Sequence, residues 1–202
     1  MNKILAFLFM CLITSNTSAN ETDIKKIENY LNNIISLEAN FVQMSSNGAT
    51  AEGKIYISKP SKIRMEYTVP DSISIIGNGD FIVYNDKELD QVTNIDYEDS
   101  PATMILTEKI KLNGDKLKVS DYYKDNGQTS ITVETIDNPD IKPITLIFEN
   151  NPFQLKQWKI IDQQNIEITI SLFNMEKDKK LDEQLFNYKQ KISNKKPINR
   201  RK

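Results

Sequence analysis

Apolar residues alternate with polar residues along most of the chain, and this period of two is its dominant pattern. The alternating apolar sets are Ile55 and Ile57; Ile63, Met65, Tyr67 and Val69; Ile131 and Val133; Ile144, Leu146 and Phe148; Phe153 and Leu155; and Ile166, Ile168, Ile170 and Leu172. Successive side chains of a strand point to opposite faces, so these segments predict strands with one apolar and one polar face. Turn signals separate the segments at Gly77-Asn78-Gly79, Asn113-Gly114-Asp115, Asp125-Asn126-Gly127 and Asn150-Asn151-Pro152. We therefore predict an antiparallel meander.

The segment before the first alternating set has a different period. Apolar residues recur at helical spacing behind a possible cap at Thr22 or Asp23, and they are Ile24, Ile27, Leu31, Ile34 and Ile35. This spacing predicts an amphipathic helix from residue 23 to about residue 36. Its apolar face needs a surface to cover, and the predicted sheet provides one.

The segment from Ile95 to Ile110 interrupts the alternation. Pro101 tolerates the first position of a helix, so we predict a short helix that carries Met104, Ile105 and Leu106. Two interpretations stay open. The helix is either a permanent cap on the sheet or a lid that opens over a binding cavity.

The first nineteen residues have the features of a secretory signal peptide. Lys3 precedes an apolar run from Ile4 to Ile13, and small residues lead to Ala19, after which we predict cleavage. The run is too short to span a membrane, so we expect an exported, soluble protein. Cys11 is the single cysteine, and its context does not fit a lipoprotein signal, so the mature chain is expected to lack disulfides.

Charge divides the rest of the chain into two parts. The single domain expected over residues 20–188 has 18 basic and 28 acidic residues, whereas residues 189–202 have seven basic residues and no acidic one. An acidic domain disfavours nucleic acid as a partner. The basic end is interpreted either as a flexible, solubilising tail or as a segment that docks on an anionic membrane or an acidic partner.

Composition also removes several kinds of chemistry. The 202 residues include no histidine, which excludes histidine-activated nucleophiles and imidazole metal sites. Gly77-Asn78-Gly79 lacks the third glycine and the helix of a dinucleotide loop, and the acidic residues show no calcium-loop spacing. We therefore expect no catalytic residue, no metal and no cofactor.

Several residues at ordered spacing resemble one known family. They are Phe41 and Gln43 after the helix, then Gly53, Lys59-Pro60, Tyr67, Pro70-Asp71, Gly79, Tyr84, Gln91 and Pro101, with the ending LDEQLFNYK at residues 181–189. This pattern resembles the outer-membrane lipoprotein carrier family, the periplasmic chaperones of the Lol lipoprotein-sorting system. The ending is similar to the terminal strand of that family.

The resemblance implies a fold, a ligand and partners. The fold would be a mainly β, strongly curved antiparallel sheet, an incomplete β-barrel closed by helices around an apolar cavity. The cavity would hold the acyl chains of lipoproteins, which a monomer would accept from an inner-membrane ABC transporter and deliver to an outer-membrane acceptor. Such a protein is not an enzyme.

Candidate site residues follow from a cavity that must hold acyl chains. The predicted lining is Ile63, Met65, Tyr67, Val69, Ile73, Ile75, Met104, Ile105 and Leu106. Lys59 stands where the resembling family carries an arginine associated with holding the lid, which makes it the candidate latch; lysine offers a point charge instead of a planar fork. Arg64 is a weaker candidate, since its strand phase directs it away from Ile63 and Met65.

An alternative function uses the same scaffold. A periplasmic regulator could bind a lipid or an unfolded outer-membrane chain as a stress signal. A secreted hydrolase is a distant third, because the sequence offers no visible nucleophile and base.

Overall fold

The computed structural model describes residues 18–69 and 72–188. Within them, helix α1 spans Ser18–Asn32 and the short helix α2 spans Thr103–Leu106. Two 3-10 helices lie at Tyr97–Asp99 and Glu183–Phe186. The strands are β1 (Ser36–Ser45), β2 (Thr50–Ser58), β3 (Lys62–Val69), β4 (Ile73–Asn78), β5 (Phe81–Asp86), β6 (Gln91–Asp96), β7 (Leu117–Lys124), β8 (Gln128–Thr135), β9 (Ile144–Asn150), β10 (Phe153–Ile161) and β11 (Glu167–Lys177).

All the strands form one sheet of eleven, in the order β6-β5-β4-β3-β2-β1-β11-β10-β9-β8-β7. Every pairing is antiparallel, and the sheet is open, since β6 and β7 are its two edges. The predicted mainly β fold with an incomplete barrel is thus confirmed. Two meanders, β1–β6 and β7–β11, meet where β1 pairs with β11.

The chain between β6 and β7 joins opposite edges of the sheet, so it must cross one face from side to side. We call residues 97–116 the crossover and the sheet face that it covers, together with α1, the inner face. The predicted short helix is confirmed there, although α2 is a single turn preceded by a 3-10 helix.

The boundaries of α1 differ from the prediction. The helix ends at Asn32 instead of about residue 36, and Ser36 already begins β1. Asn32, Asn33 and the β-branched Ile34 and Ile35 are weak helix formers, which explains the early end. The helical spacing places Ile35 on the apolar helix face, but Ile35 is 67% exposed, whereas Ile34 is buried as predicted.

The N-terminal prediction falls mostly outside the described residues. Residues 1–17 are not described, and α1 begins at Ser18, next to the predicted cleavage site after Ala19. No helix in residues 18–69 and 72–188 has the length and apolarity that a membrane span needs. The basic end, residues 189–202, also lies outside the described part.

The C-terminal ending does not form the expected strand. Its described part contains the 3-10 helix at Glu183–Phe186, which contacts β3 and β4. Residues 178–188, which we call the strap, run over the sheet face opposite to the inner face, the outer face. Arg64 is on that outer face as predicted, but instead of pointing freely to solvent it donates to the Leu185 carbonyl oxygen at 2.8 Å.

Candidate functional site

The inner face of the sheet is the candidate binding site, and strand pairing explains which residues line it. Residues directly opposite each other in an antiparallel pair share a face. Met65 lies opposite Ile55 of β2 and Ile75 of β4. Ile63 lies opposite Ile57 and Gly77 in the same way. The alternation of β2, β3 and β4 therefore builds one continuous apolar surface.

The predicted lining residues occupy three environments. Five of them are buried in the core, namely Ile63, Met65, Tyr67, Met104 and Leu106. Ile73, Ile75 and Ile105 are partly buried and pack against that core. Val69 is 55% exposed at the end of β3 and is not part of the core cluster. The structure thus brings eight of the nine residues together, from β3, β4 and α2.

Tyr67 supplies a polar group to this surface. Its hydroxyl donates to the Gln43 side-chain oxygen at 2.8 Å, and its ring packs edge-on against Phe41 with centroids 5.1 Å apart. Burial raises the pKa of the Tyr67 phenol well above its usual value, so the group stays neutral. The hydrogen bond satisfies a hydroxyl that would otherwise be costly to bury.

Gly53 allows β1, β2 and β3 to approach one another beneath these rings. A Cβ at this position would lie 2.1 Å from the Glu66 carbonyl oxygen and 2.9 Å from the Phe41 ring. No side chain larger than hydrogen fits that space. The close approach of the neighbouring strands, rather than an unusual backbone angle, therefore explains why a glycine occupies this position of the pattern that resembles the carrier family.

Helix α1 is fixed to the inner face at several points. Ile24, Ile27 and Leu31 are buried in the core cluster. Tyr30 packs edge-on against Phe148 of β9 and Phe153 of β10, at 5.7 and 5.6 Å between centroids. These contacts reach the half of the sheet formed by β7–β11.

The N-terminal part of α1 is also tied to β7. Asp23 accepts from Lys124 at 2.8 Å and from the Tyr122 hydroxyl at 2.6 Å. Partial burial raises the pKa of Asp23, but the two hydrogen bonds together with the positive charges of Lys124 and Lys26 lower it below its usual value. The helix therefore acts as a fixed support on the sheet.

The crossover is held by hydrogen bonds to α1 and to the turn after β2. The Asn32 side chain pairs with both backbone groups of Ile110, since its amide donates to the carbonyl at 2.8 Å and its oxygen accepts from the N–H at 2.7 Å. Glu28 accepts from the Leu112 N–H at 2.8 Å. The Ser61 N–H donates to the Leu106 carbonyl at 2.8 Å. We call these four hydrogen bonds the latch.

Lys59 is connected to the crossover indirectly, through α1. Its ammonium donates to the Leu31 carbonyl oxygen at 2.8 Å, at the C-terminal end of α1, where a positive charge is favoured by the helix dipole. Among the described hydrogen bonds it makes none to the crossover. Lys59 therefore holds the helix to which Asn32 and Glu28 belong.

Burial of the Lys59 ammonium gives a prediction about pH. Desolvation lowers the pKa of Lys59 from 10.5 to about 8 in the folded protein. Between these values the unfolded chain binds more protons at this site, so folded stability rises with pH. We expect wild type to gain about 1 to 2 kcal/mol relative to Lys59→Met between pH 8 and 10, a figure reduced because solvent reaches part of the side chain.

Urea unfolding of both proteins at pH 7.5 and pH 10 measures this difference. The tyrosines whose pKa values are raised by folding are present in both proteins, so their effects cancel. Equal pH dependence in wild type and Lys59→Met would show that Lys59 is solvated as in the unfolded chain.

Side chains fill the space between the sheet and its covering elements in this structure. Ile27 and Leu106 are fully buried, and Met104 and Ile110 are almost so. The hollows on the surface of the described part include one of about 390 Å³ beside Lys118 and Glu134 and one of about 360 Å³ beside Asp23 and Lys124. Both include charged residues in their lining, and Ile136 and Ile141 also line the first. The expected apolar cavity is thus occupied by the protein's own side chains, because empty apolar space would forfeit their packing contacts.

No group of histidine, cysteine or acidic residues with the geometry of a metal site occurs in the part of the chain described. What the inner face offers is apolar area under a cover that polar contacts hold in place. Such an arrangement can bind an apolar ligand when the cover moves.

Comparisons with known proteins agree with this geometry. The sequence profile of the family described as outer membrane lipoprotein carrier protein LolA matches residues 32–189. An outer-membrane lipoprotein carrier protein of Pseudomonas paraeruginosa (strain DSM 24068 / PA7) is 24% identical over 92% of this chain and 94% of its own length.

Two further proteins are similar over most of the chain. An uncharacterised protein of Rickettsia prowazekii (strain Madrid E) is 29% identical and covers 94% of this chain and 88% of its own length. The crystal structure of a DUF1329 family protein from Desulfovibrio piger matches with a TM-score of 0.51 at 8% identity, over 86% of this chain and 98% of that chain. This last likeness concerns the fold alone.

Proposed function

This chain belongs to the outer membrane lipoprotein carrier family, and from that premise we propose that it is a periplasmic chaperone for lipoproteins. It binds the acyl chains of lipoproteins released from the inner membrane and carries them to the outer membrane. The family is one of carriers rather than enzymes. The observation that supports the proposal most is an apolar inner face covered by a crossover that only a few hydrogen bonds attach to α1 and to the turn after β2.

The binding step is an exchange of apolar partners. A saturated chain of about 16 carbons gains roughly 12 kcal/mol on burial, at about 0.8 kcal/mol per methylene. Met104, Leu106 and Ile110, which a ligand would displace, gain roughly 5 to 9 kcal/mol together by the same scale. Lipoproteins with two or three chains therefore outcompete the crossover for the inner face.

In the release step, the crossover competes with the acyl chains for the inner face and helps to displace them. Closing of the crossover over the empty inner face stabilises the unliganded protein, and that free energy is subtracted from the affinity for the ligand. An acceptor that offers comparable burial without this penalty can then take the lipoprotein. No fuel is needed for the transfer.

The proposed partners follow from the same chemistry. Acyl chains buried in a membrane are effectively trapped, so extraction needs an energy source, which we assign to an inner-membrane ABC transporter. An outer-membrane acceptor receives the lipoprotein. The regulator alternative has no observation in its favour among the described residues.

A direct test is titration with a synthetic tripalmitoylated lipopeptide, followed by native mass spectrometry. We expect a one-to-one complex with wild type. Ile75→Glu should weaken it at least about tenfold, because the ligand would bury an unpaired carboxylate against its chains. Ile75 is only partly buried, so the variant is expected to fold.

Thr68→Glu is the matched control, since it adds the same side chain on the exposed outer face of β3. It should bind within about twofold of wild type. Absence of any complex with wild type, or equal weakening in both variants, would overturn the proposal. Circular dichroism verifies folding, and Ile75→Ser replaces Ile75→Glu if the latter is unfolded.

A further inference from the structure

The strap follows a directed path over the outer face of the sheet. At β1, the Ser36 hydroxyl donates to the Lys179 carbonyl at 2.7 Å. At β3, Lys62 pairs with Glu183 and Arg64 donates to the Leu185 carbonyl at 2.8 Å. At β5, the Tyr188 hydroxyl lies 3.4 Å from the Asn85 side-chain oxygen. The chain thus advances from β1 to β5, and the next strand in that direction is the edge strand β6.

The outer face is covered along the strap and open beyond it. Ile76 of β4 is buried there, as is Phe186 of the strap. Phe81 and Val92 belong to the outer face of β5 and β6, since Phe81 lies opposite Asp96 and Val92 lies opposite Asn85. They are 48% and 42% exposed. We call the outer face of β5 and β6, with the turns that flank it, the wing.

The charge of the wing is opposite to that of the chain end. Residues 72–99 contain seven acidic residues and a single basic one, Lys87. The exposed acidic residues are Asp80, Glu88, Asp90, Asp96, Glu98 and Asp99. None of these six forms an ion pair with the residues that the structure describes.

We infer that the basic tail, residues 189–202, docks on the wing of its own chain. The tail has seven lysines and arginines and two isoleucines, Ile192 and Ile198, which suit an acidic surface with exposed apolar residues. It starts directly after Tyr188, at β5, and β6 is one strand spacing further, about 4.8 Å. Fourteen residues reach up to roughly 46 Å, so length is not limiting.

Tethering makes this contact favourable although each charge pair is weak. A segment joined to its binding surface by a short linker experiences an effective concentration in the millimolar range. Exposed charges interact over about 8 Å at physiological ionic strength and less at high salt. Docking is therefore reversible and salt-dependent. This inference does not depend on lipoprotein binding.

Paramagnetic relaxation enhancement tests the contact. The chain without its predicted signal peptide has no cysteine, so Ser193→Cys accepts a single spin label. At low salt we expect the amide signals of Val83, Val92 and Asn94 to broaden, and at 0.5 M NaCl the broadening should disappear. Neutralising the wing with D80N, E88Q, D90N and D96N should also abolish it.

A variant with equal charge change is the control. E108Q, D115N, D137N and D140N remove four exposed carboxylates outside the wing, and the broadening of β5 and β6 signals should persist. Absence of broadening at low salt, or the same loss in both fourfold variants, would overturn the inference.

Vesicles of phosphatidylglycerol separate this contact from direct membrane docking. If the wing competes for the tail, the wing variant should bind these vesicles about threefold or more tightly than the control variant, although both have the same net charge. Equal affinities would show that the tail is free to reach the membrane and that the wing does not hold it.

Discussion

Asn32→Ala is expected to raise the affinity for a tripalmitoylated lipopeptide by roughly thirtyfold. The substitution removes both hydrogen bonds to the Ile110 backbone. Each contributes about 1 kcal/mol net, so the closed form loses about 2 kcal/mol relative to the open one. Because that free energy is subtracted from ligand binding in wild type, its loss appears as tighter binding.

Hydrogen exchange of the Leu112 amide provides a second measurement that does not involve ligand. This N–H is bonded to Glu28, which the substitution leaves in place. If the crossover opens as a unit, Leu112 should exchange faster by a similar factor in Asn32→Ala. Faster exchange of Ile110 alone would indicate only a local loss of its partner.

Asn33→Ala is the matched control for this experiment. Asn33 is the exposed neighbour of Asn32, and the same change of residue type there should alter neither affinity nor exchange of Leu112 by more than about twofold. Unchanged affinity in Asn32→Ala together with faster Leu112 exchange would mean that opening of the crossover is not what limits binding.

The inner face was predictable because strand alternation is a local signal. Ile63, Met65 and Tyr67 are two residues apart and therefore lie on the same face of β3. The pairing of β3 with β2 and β4 keeps them on the inner face. Val69 has the same alternation as these residues. Its side chain is exposed, however, because β3 ends there and the register with β2 shifts between Glu52 and Gly53. The alternation of apolar and polar residues alone does not indicate which residues near the end of a strand stay exposed.

The latch could not be predicted in the same way. Asn32 and Glu28 contact backbone groups 78 and 84 residues further along the chain. The sequence around a polar residue near the end of an amphipathic helix does not indicate which distant backbone group it will bond. The family resemblance predicts a latch role for Lys59, but its ammonium is hydrogen-bonded to α1 instead of to the crossover. The Lys59 side chain is thus connected to the crossover through the helix that carries Asn32 and Glu28.

Gly53→Ala should destabilise the fold by about 2 to 4 kcal/mol. The new methyl group would lie 2.1 Å from the Glu66 carbonyl oxygen, a backbone atom that cannot move without separating β2 from β3. It would also press against the Phe41 ring, which is fully buried and packs on Tyr67. Overpacking of this kind typically costs 1 to 3 kcal/mol, and a strained strand pairing adds roughly 1 kcal/mol more.

Urea unfolding at neutral pH measures the loss, and Gly127→Ala is the control. A Cβ at Gly127 would meet only the Asp125 carboxylate, at 3.6 Å, which is ordinary contact distance, so that variant should stay within about 0.5 kcal/mol of wild type. Equal stability of Gly53→Ala and wild type would mean that β2 and β3 are further apart in solution. In the unliganded protein, the strands beneath Phe41 and Tyr67 would then be less tightly packed. Closing of the crossover over the inner face would stabilise the protein less.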